Sequence, residues 1–247
     1  MKSIDELTLQ TGVDIPFTKA HVTIHNPTIE ELGYIGEENF HAGVHFLCFD
    51  RNRLSAEDKT NLANSSDFEI FMNMINNPQL AKYKVNVLMV LALLFPRHKI
   101  KIDKDQIILQ LEDISSINNL NYEEFKSILQ QVFCLNIDAE GKDSSYDPQD
   151  DLARRIVEKI QKGKARREKL KGEKKHGSGS IYGQYISILS VGLQKNKKEL
   201  TKYTVYQLRD EMTRFQLKEA FDMNIKARLA GAKDVEEVDN WMKDIHS

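Results

Sequence analysis

Apolar residues recur along this chain at two spacings, and the spacing changes with position. In "SSDFEIFMNMINN" Phe68, Phe71, Met72 and Ile75 fall three or four residues apart, the period of one helical face, with Ser66 or Asp67 placed to cap it. "NYEEFKSILQQVFCL" repeats the pattern with Phe125, Ile128, Leu129 and Val132, and Asn121 stands at its cap position. Thr28 precedes Glu31 by three residues, a capping box that predicts a helix over 29–48. Gly33, Gly36 and Gly43 lie inside it, each costing ~1 kcal/mol relative to Ala, so a break near Gly36 is expected. "VNVLMVLALLFP", 85–96, is apolar on every side and predicts a buried helix that begins at Pro78 and ends at Pro96. It is too short to cross a bilayer. Strict alternation marks strands instead. "HVTI" places Val22 and Ile24 on one face, and "HKIKIDK" does the same with Ile100 and Ile102. The latter pairs with "DQIILQLED" across Asp103-Lys104-Asp105 as a hairpin. Residues 1–20 show neither period and read as loosely structured.

The pattern lapses over 136–151, "NIDAEGKDSSYDPQDD", which is acidic and poor in apolar residues and reads as a linker. A basic helix follows, docked at its start through Leu152, Ile156 and Ile160 and then fraying toward "HGSGS". Helical periodicity returns from 180. "IYGQYISILSVGL" is apolar on several sides. Val205, Leu208, Met212 and Phe215 form a stripe that Phe221, Ile225 and Leu229 continue after a small phase shift. Gly231, preceded by Lys226 and Arg228, ends that helix. A last helix over 234–245 aligns Val235, Val238, Trp241 and Met242. The fold class is therefore mainly α with an α+β N-terminal part. It comprises an N-terminal domain with a small β-hairpin (1–135), a linker and charged helical tether (136–179) and a C-terminal helical domain (180–247).

Composition narrows the function. The chain has 247 residues, 35 Lys and Arg against 37 Asp and Glu, and a formal charge of -2, so no global field draws it to nucleic acid or membrane. Cys48 and Cys134 lie far apart in apolar surroundings and read as reduced core thiols of an intracellular protein. "MKSIDELTLQTG" has no apolar h-region. Phosphate-cradling loops, a nucleophile elbow and paired catalytic motifs are missing from the sequence. Glu30, Glu31, Glu37 and Glu38 read as acids near helix starts rather than catalysts. His41, His45 and Cys48 recur at one-turn spacing, which permits three metal ligands on one face, but no partner motif accompanies them and packing is the favoured reading. The expectation is a protein without enzymatic activity, metal or cofactor.

One local charge excess stands out. Residues 154–175 hold eleven Lys and Arg against three Glu. Arg154, Arg155, Lys164, Arg166 and Arg167 are the residues that would contact nucleic acid. The stretch has no interleaved aromatic residues for base stacking, so a solvated tether beside the acidic linker is favoured over a nucleic-acid-binding adaptor.

The C-terminal run "LTKYTVYQLRDEMTRFQLKEAFDMNIKARLAGAKDVEEVDNWMKDI" carries a further signal. Its helix start at Thr204–Leu208, aromatic-bearing helix to Leu229, small-residue corner at Ala230–Asp234 and close at Trp241–Ile245 resemble the ends of small morphogenesis proteins of tailed phages of Gram-positive bacteria. The resemblance covers about a quarter of the chain. It implies a tail assembly chaperone, mainly helical, that holds a tape-measure protein while tail-tube subunits polymerise around it in the host cytoplasm. In such families a longer product can arise by ribosomal frameshifting. The partner implied is a tape-measure or tail-tube protein, with self-association possible and no membrane. Phe221, Trp241 and Met242 are the candidate partner contacts, because large apolar side chains dominate such sites.

Overall fold

The structure is a computed structural model that describes residues 3–51, 62, 64–103, 108–111, 115–135, 179–231 and 241–242. It is mostly helical with two small antiparallel sheets.

The first residues are more ordered than their pattern suggests. Helix α1 (Glu6–Thr11) forms because the Asp5 carboxylate accepts from the Leu7 and Thr8 amides, and Gly12, at φ 68°, closes it in the left-handed region. A helix this short has too few turns to show a period. Strands β1 (Ile15–Phe17) and β2 (Val22–Ile24) pair antiparallel with Ile15 opposite Ile24, which buries Phe17 and Ile24 completely. Thr28 and Glu31 make the expected capping box for α2 (Ile29–Ile35). Gly36, at φ 82°, breaks the helix, and α3 (Glu37–Leu47) restarts beyond it.

Ser66 caps α4 (Asp67–Ile75) in a second capping box with Glu69. Phe68, Phe71, Met72 and Ile75 face the core as their spacing predicts. A 3-10 turn at Pro78–Leu80 leads into α5 (Ala81–Leu94). This helix corrects an expectation. It is not covered on nearly all sides, because Val85 is 51% and Met89 39% exposed while Val87, Val90, Leu91 and Leu94 are fully buried. Helices α3 and α5 cross at Gly43. A Cβ there would stand 2.6 Å from the Asn86 carbonyl oxygen, so only glycine allows the backbones to come this close.

Strands β3 (Lys101–Asp103) and β4 (Ile108–Gln110) pair with Ile102 opposite Leu109, as the alternation predicts, and β5 (Ser116–Ile117) adds a third strand on β4. Lys104 and Asp105 of the expected turn lie outside the described residues. Helix α6 (Tyr122–Val132) follows. Asn121 occupies its N-terminal position but does not cap it. The Asn121 side chain accepts from the Asn118 amide and donates to the Ser116 carbonyl, both at 2.9 Å, tying β5 to the helix start.

The aromatic core is continuous. Phe125 meets Phe17 and Phe95, Tyr122 meets Phe68 and Phe71, and Phe40 meets Phe133 edge-on at 4.9 Å. Near Tyr122, Lys126 is only 6% exposed. Its ammonium reaches Asp67 (3.1 Å), Glu123 (2.7 Å) and the Phe49 carbonyl (3.2 Å), while Arg51 binds the other oxygen of Asp67 and the Ser65 carbonyl. Burial pushes the Asp67 carboxyl up, but hydrogen bonds from Arg51 and Lys126 outweigh it and hold it low.

The chain divides into two compact units, Met1–Leu135 with Tyr182–Ser247, and Asn136–Ile181. The two flanks that the sequence reads as separate domains thus fall in one unit. Helix α7 (Ile181–Gly192), the short α8 (Lys197–Leu200) and the long α9 (Val205–Leu229) make up the C-terminal flank. Leu200, Val205, Leu208 and Met212 bury into the core that holds Phe40 and Phe133. The flanks are also stitched by backbone. Ile29 and Glu30, whose amides open α2 and have no partner inside that helix, donate to the Tyr203 and Thr201 carbonyls at 2.9 and 2.8 Å. Thr28 and Thr204, each a helix cap, form an antiparallel bridge. The acidic linker and basic helix expected over 136–178 lie outside the described residues, as does most of the helix expected over 234–245; Trp241 and Met242 sit in a turn.

Candidate partner surface

Helix α9 has two unlike halves. Its first half is a core helix, with Val205, Tyr206, Leu208, Asp210 and Met212 buried. Thr204 fixes its start through a capping box with Gln207, whose Nε2 also donates to the Gln10 carbonyl at 2.6 Å. Beyond Met212 the only buried residue of the helix is Asn224. The stripe expected to run through Phe221, Ile225 and Leu229 does not continue as core. Phe221 is half-buried, Ile225 is 40% exposed and Leu229 83%. A sequence stripe shows which residues share a face, and the fold decides whether anything covers it. With a rise of about 1.5 Å per residue, Phe221, Ile225 and Leu229 spread apolar surface along about 12 Å of one side. Met223 adds an exposed side chain on another. Lys226 and Arg228 favour the helix end, and Gly231 stands just past it at φ 88°.

Of the three expected partner contacts, Met242 is 66% exposed and Trp241 and Phe221 are half-buried. Arg154, Arg155, Lys164, Arg166 and Arg167 lie outside the described residues. His41 and His45 come within 6.5 Å ring to ring, and Cys48 is buried at the end of their helix. Among the described residues no group of three or more His, Cys, Asp and Glu is placed to hold a metal ion. Burial pushes the Cys134 thiol up to about 11. A groove of about 550 Å³ runs between the N-terminal strand and α6, with Ile4, Ile15, Pro16 and Ile128 among its lining and Lys19 facing Glu124 across it.

Sequence reasoning missed the seam where the C-terminal flank meets α3. Tyr182 of α7 stacks on His41, with ring centroids 5.4 Å apart and planes 30° apart. Its amide donates to Glu37 at 3.4 Å. Arg209 of α9 reaches past it to donate to the Cys134 carbonyl at 2.7 Å. Two buried polar atoms here, Tyr182 Oη and Arg209 Nε, have no hydrogen-bond partner, while His41 Nε2 lies 3.6 Å from Glu37 Oε1. Each such group costs about 1–3 kcal/mol when left unpaired, so ring stacking and apolar burial carry this contact. Burial pushes the His41 pKa down. Glu37 opposes the shift, while His45 and Arg209 add to it. The available sequence signal was the run from Ile181 to Leu193, which has no charged residue in a chain that is 29% charged.

Residues 182–246 match the family model described as YomV second domain. The match points to a phage-related protein family. No curated protein and no solved structure matches the chain. The matched segment starts at Tyr182, one residue into α7, and takes in α8 and all of α9. It holds both the seam with α3 and the exposed half of α9. No described helix is long and apolar enough to cross a membrane.

Proposed function

We propose that this is a non-enzymatic binding protein of phage tail morphogenesis, an assembly chaperone that engages a tape-measure protein or a tail-tube subunit through its C-terminal flank. One observation carries the reading. The segment that matches a phage-related family contains a helix whose distal half leaves Met223, Ile225 and Leu229 open, close in sequence to Met242. A tape-measure protein offers long amphipathic helices, and an apolar helix face is the kind of surface that packs against them. The phage association of the match agrees with this role, and the chaperone activity, its partner and the absence of catalysis are part of the proposal.

The test is coexpression of the tagged chain with its genomic neighbours. Recovery of a long helical tape-measure or tube protein, reduced at least about ten-fold by Ile225→Ala with Leu229→Ala, supports the reading, since exposed anchors of this kind contribute about 1–2 kcal/mol each. These side chains are exposed, so the double variant keeps the fold. Deletion of the whole flank is the wrong control, because the core is shared. Recovery of nucleic acid alone, released by salt, argues for the basic 154–175 stretch instead.

A further inference from the structure

We propose that the groove between α6 and the N-terminal chain is a peptide site, which takes a short extended segment of a partner protein with aliphatic side chains on either side of one lysine. The site lies among residues 3–131 and is independent of the surface proposed for the C-terminal flank.

One wall of the groove is a single face of α6. Glu124, Ser127, Ile128 and Gln131 recur at three- and four-residue steps and extend about 10 Å along the helix. About three residues of extended chain span that length. The other wall is the chain before α1, part of α1, and β1 with the turn after it. The walls are tied at both ends of the α6 face. The Ile4 amide donates to Gln131 Oε1 at 2.8 Å. Seven residues away, the Thr18 hydroxyl donates to Glu124 Oε1 at 3.4 Å and the Lys19 ammonium stands 3.6 Å from Oε2. The groove encloses about 550 Å³, a volume typical of ligand sites.

Its chemistry selects the occupant. Ile4, Ile15, Pro16 and Ile128 line it and favour aliphatic side chains. The charge is net negative, because Glu123 and Glu124 line the groove against Lys19. Lys126 pairs with Glu123 but is only 6% exposed, and its ammonium is shared with Asp67 and the Phe49 carbonyl. Glu124 has capacity to spare. Its contacts at 3.4 and 3.6 Å are longer than the roughly 2.7–2.9 Å of a charge-assisted hydrogen bond, so an incoming ammonium gains a closer partner there than Lys19 has. Hydroxyls remain for peptide carbonyls. Ser127 accepts from Gln131 Nε2 at 3.2 Å, which leaves its own proton to donate, and the Thr8 side chain has no hydrogen bond among the described residues. Strand pairing with the edge of β1 is not the mode, because Pro16 offers no amide proton.

Amide chemical shifts of the full chain, titrated with capped leucyl-lysyl-leucine, test this. Saturable shifts are expected at Ile4, Thr8, Ser127 and Ile128. The same peptide with glutamate in place of lysine should bind at least about three-fold more weakly, the size of a partly exposed ion pair. Glu124→Gln should remove that difference. Lys19→Ala should tighten the lysine peptide about two-fold, because the competing ammonium is gone. The Lys19 side chain is 58% exposed, so this variant decides even if Glu124→Gln fails to fold. Equal binding of the two peptides, shifts scattered over the surface, or weaker binding to Lys19→Ala overturns the proposal. So does n-hexylammonium that shifts these residues while the peptide shifts none, an outcome that makes the groove a site for free amines.

Discussion

Lys126 brings a cation to a site where burial alone pushes its pKa down, and hydrogen bonds to Glu123 and Asp67 raise it instead. The cluster joins α4 and α6 to the chain just past α3, and the Tyr122 hydroxyl donates to the Leu47 carbonyl in the same place. Replacing Lys126 by Met keeps the stem and removes the charge. Glu123 is more than half exposed and returns to water, and Asp67 keeps Arg51, so the loss should be about 2 kcal/mol rather than the 3–5 kcal/mol of a fully buried pair. The midpoint of urea unfolding measures it. An unchanged midpoint would mean that the pair does no more than balance its desolvation. The cluster was not legible in the sequence. Lys126 sits in an amphipathic helix among polar neighbours, and only the approach of the chain after α3 makes its position interior.

At the level of elements, two glycines of similar sequence context have opposite roles. Gly33 lies exposed in α2 with nothing within 4 Å of a Cβ, so Gly33→Ala should stabilise by roughly 0.5–1 kcal/mol through helix propensity. Gly43 sits at the α3–α5 crossing with the Asn86 backbone 2.6 Å from a Cβ, so Gly43→Ala should destabilise by about 2–3 kcal/mol, since the backbones must separate. Thermal unfolding of the two variants, read side by side, checks both signs. The sequence shows three helix-weakening glycines between 29 and 48 and places the break near Gly36, but it does not tell Gly33 from Gly43. Gly36 breaks the helix, Gly43 admits α5 and Gly33 does neither. The capping boxes are the contrary case. Thr28–Glu31 is readable in four consecutive letters because cap and acceptor lie within one turn.

For the whole molecule, the shared core predicts that residues 1–135 expressed alone lack the cover of Leu200, Val205 and Leu208 and the carbonyls that serve α2. They should bind a hydrophobic dye and unfold at lower urea than the full chain; cooperative unfolding at the same midpoint would show that the flank is dispensable. Acid should act through the hydrogen-bonded carboxylates. The pKa values of Asp67 and Glu31 are depressed in the folded state, where hydrogen bonds outweigh burial. Their stabilisation is present above their ordinary values of 3.8 and 4.5 and is lost as pH falls through the lower folded ones. Global unfolding by circular dichroism should therefore begin below about pH 4.5. Local sequence by itself determined the longer described helices, the β3–β4 hairpin, the break at Gly36 and the caps at Thr28 and Ser66, because each rests on contacts within a few residues. It also determined which residues share a helix face. Tertiary structure alone decided which faces are covered. Val85, Ile225 and Leu229 are as apolar as Val87, Leu208 and Met212, and only the placement of distant segments separates core from surface. The same holds for the seam. His41 and Tyr182 are 141 positions apart, and no local period records that one ring will rest on the other.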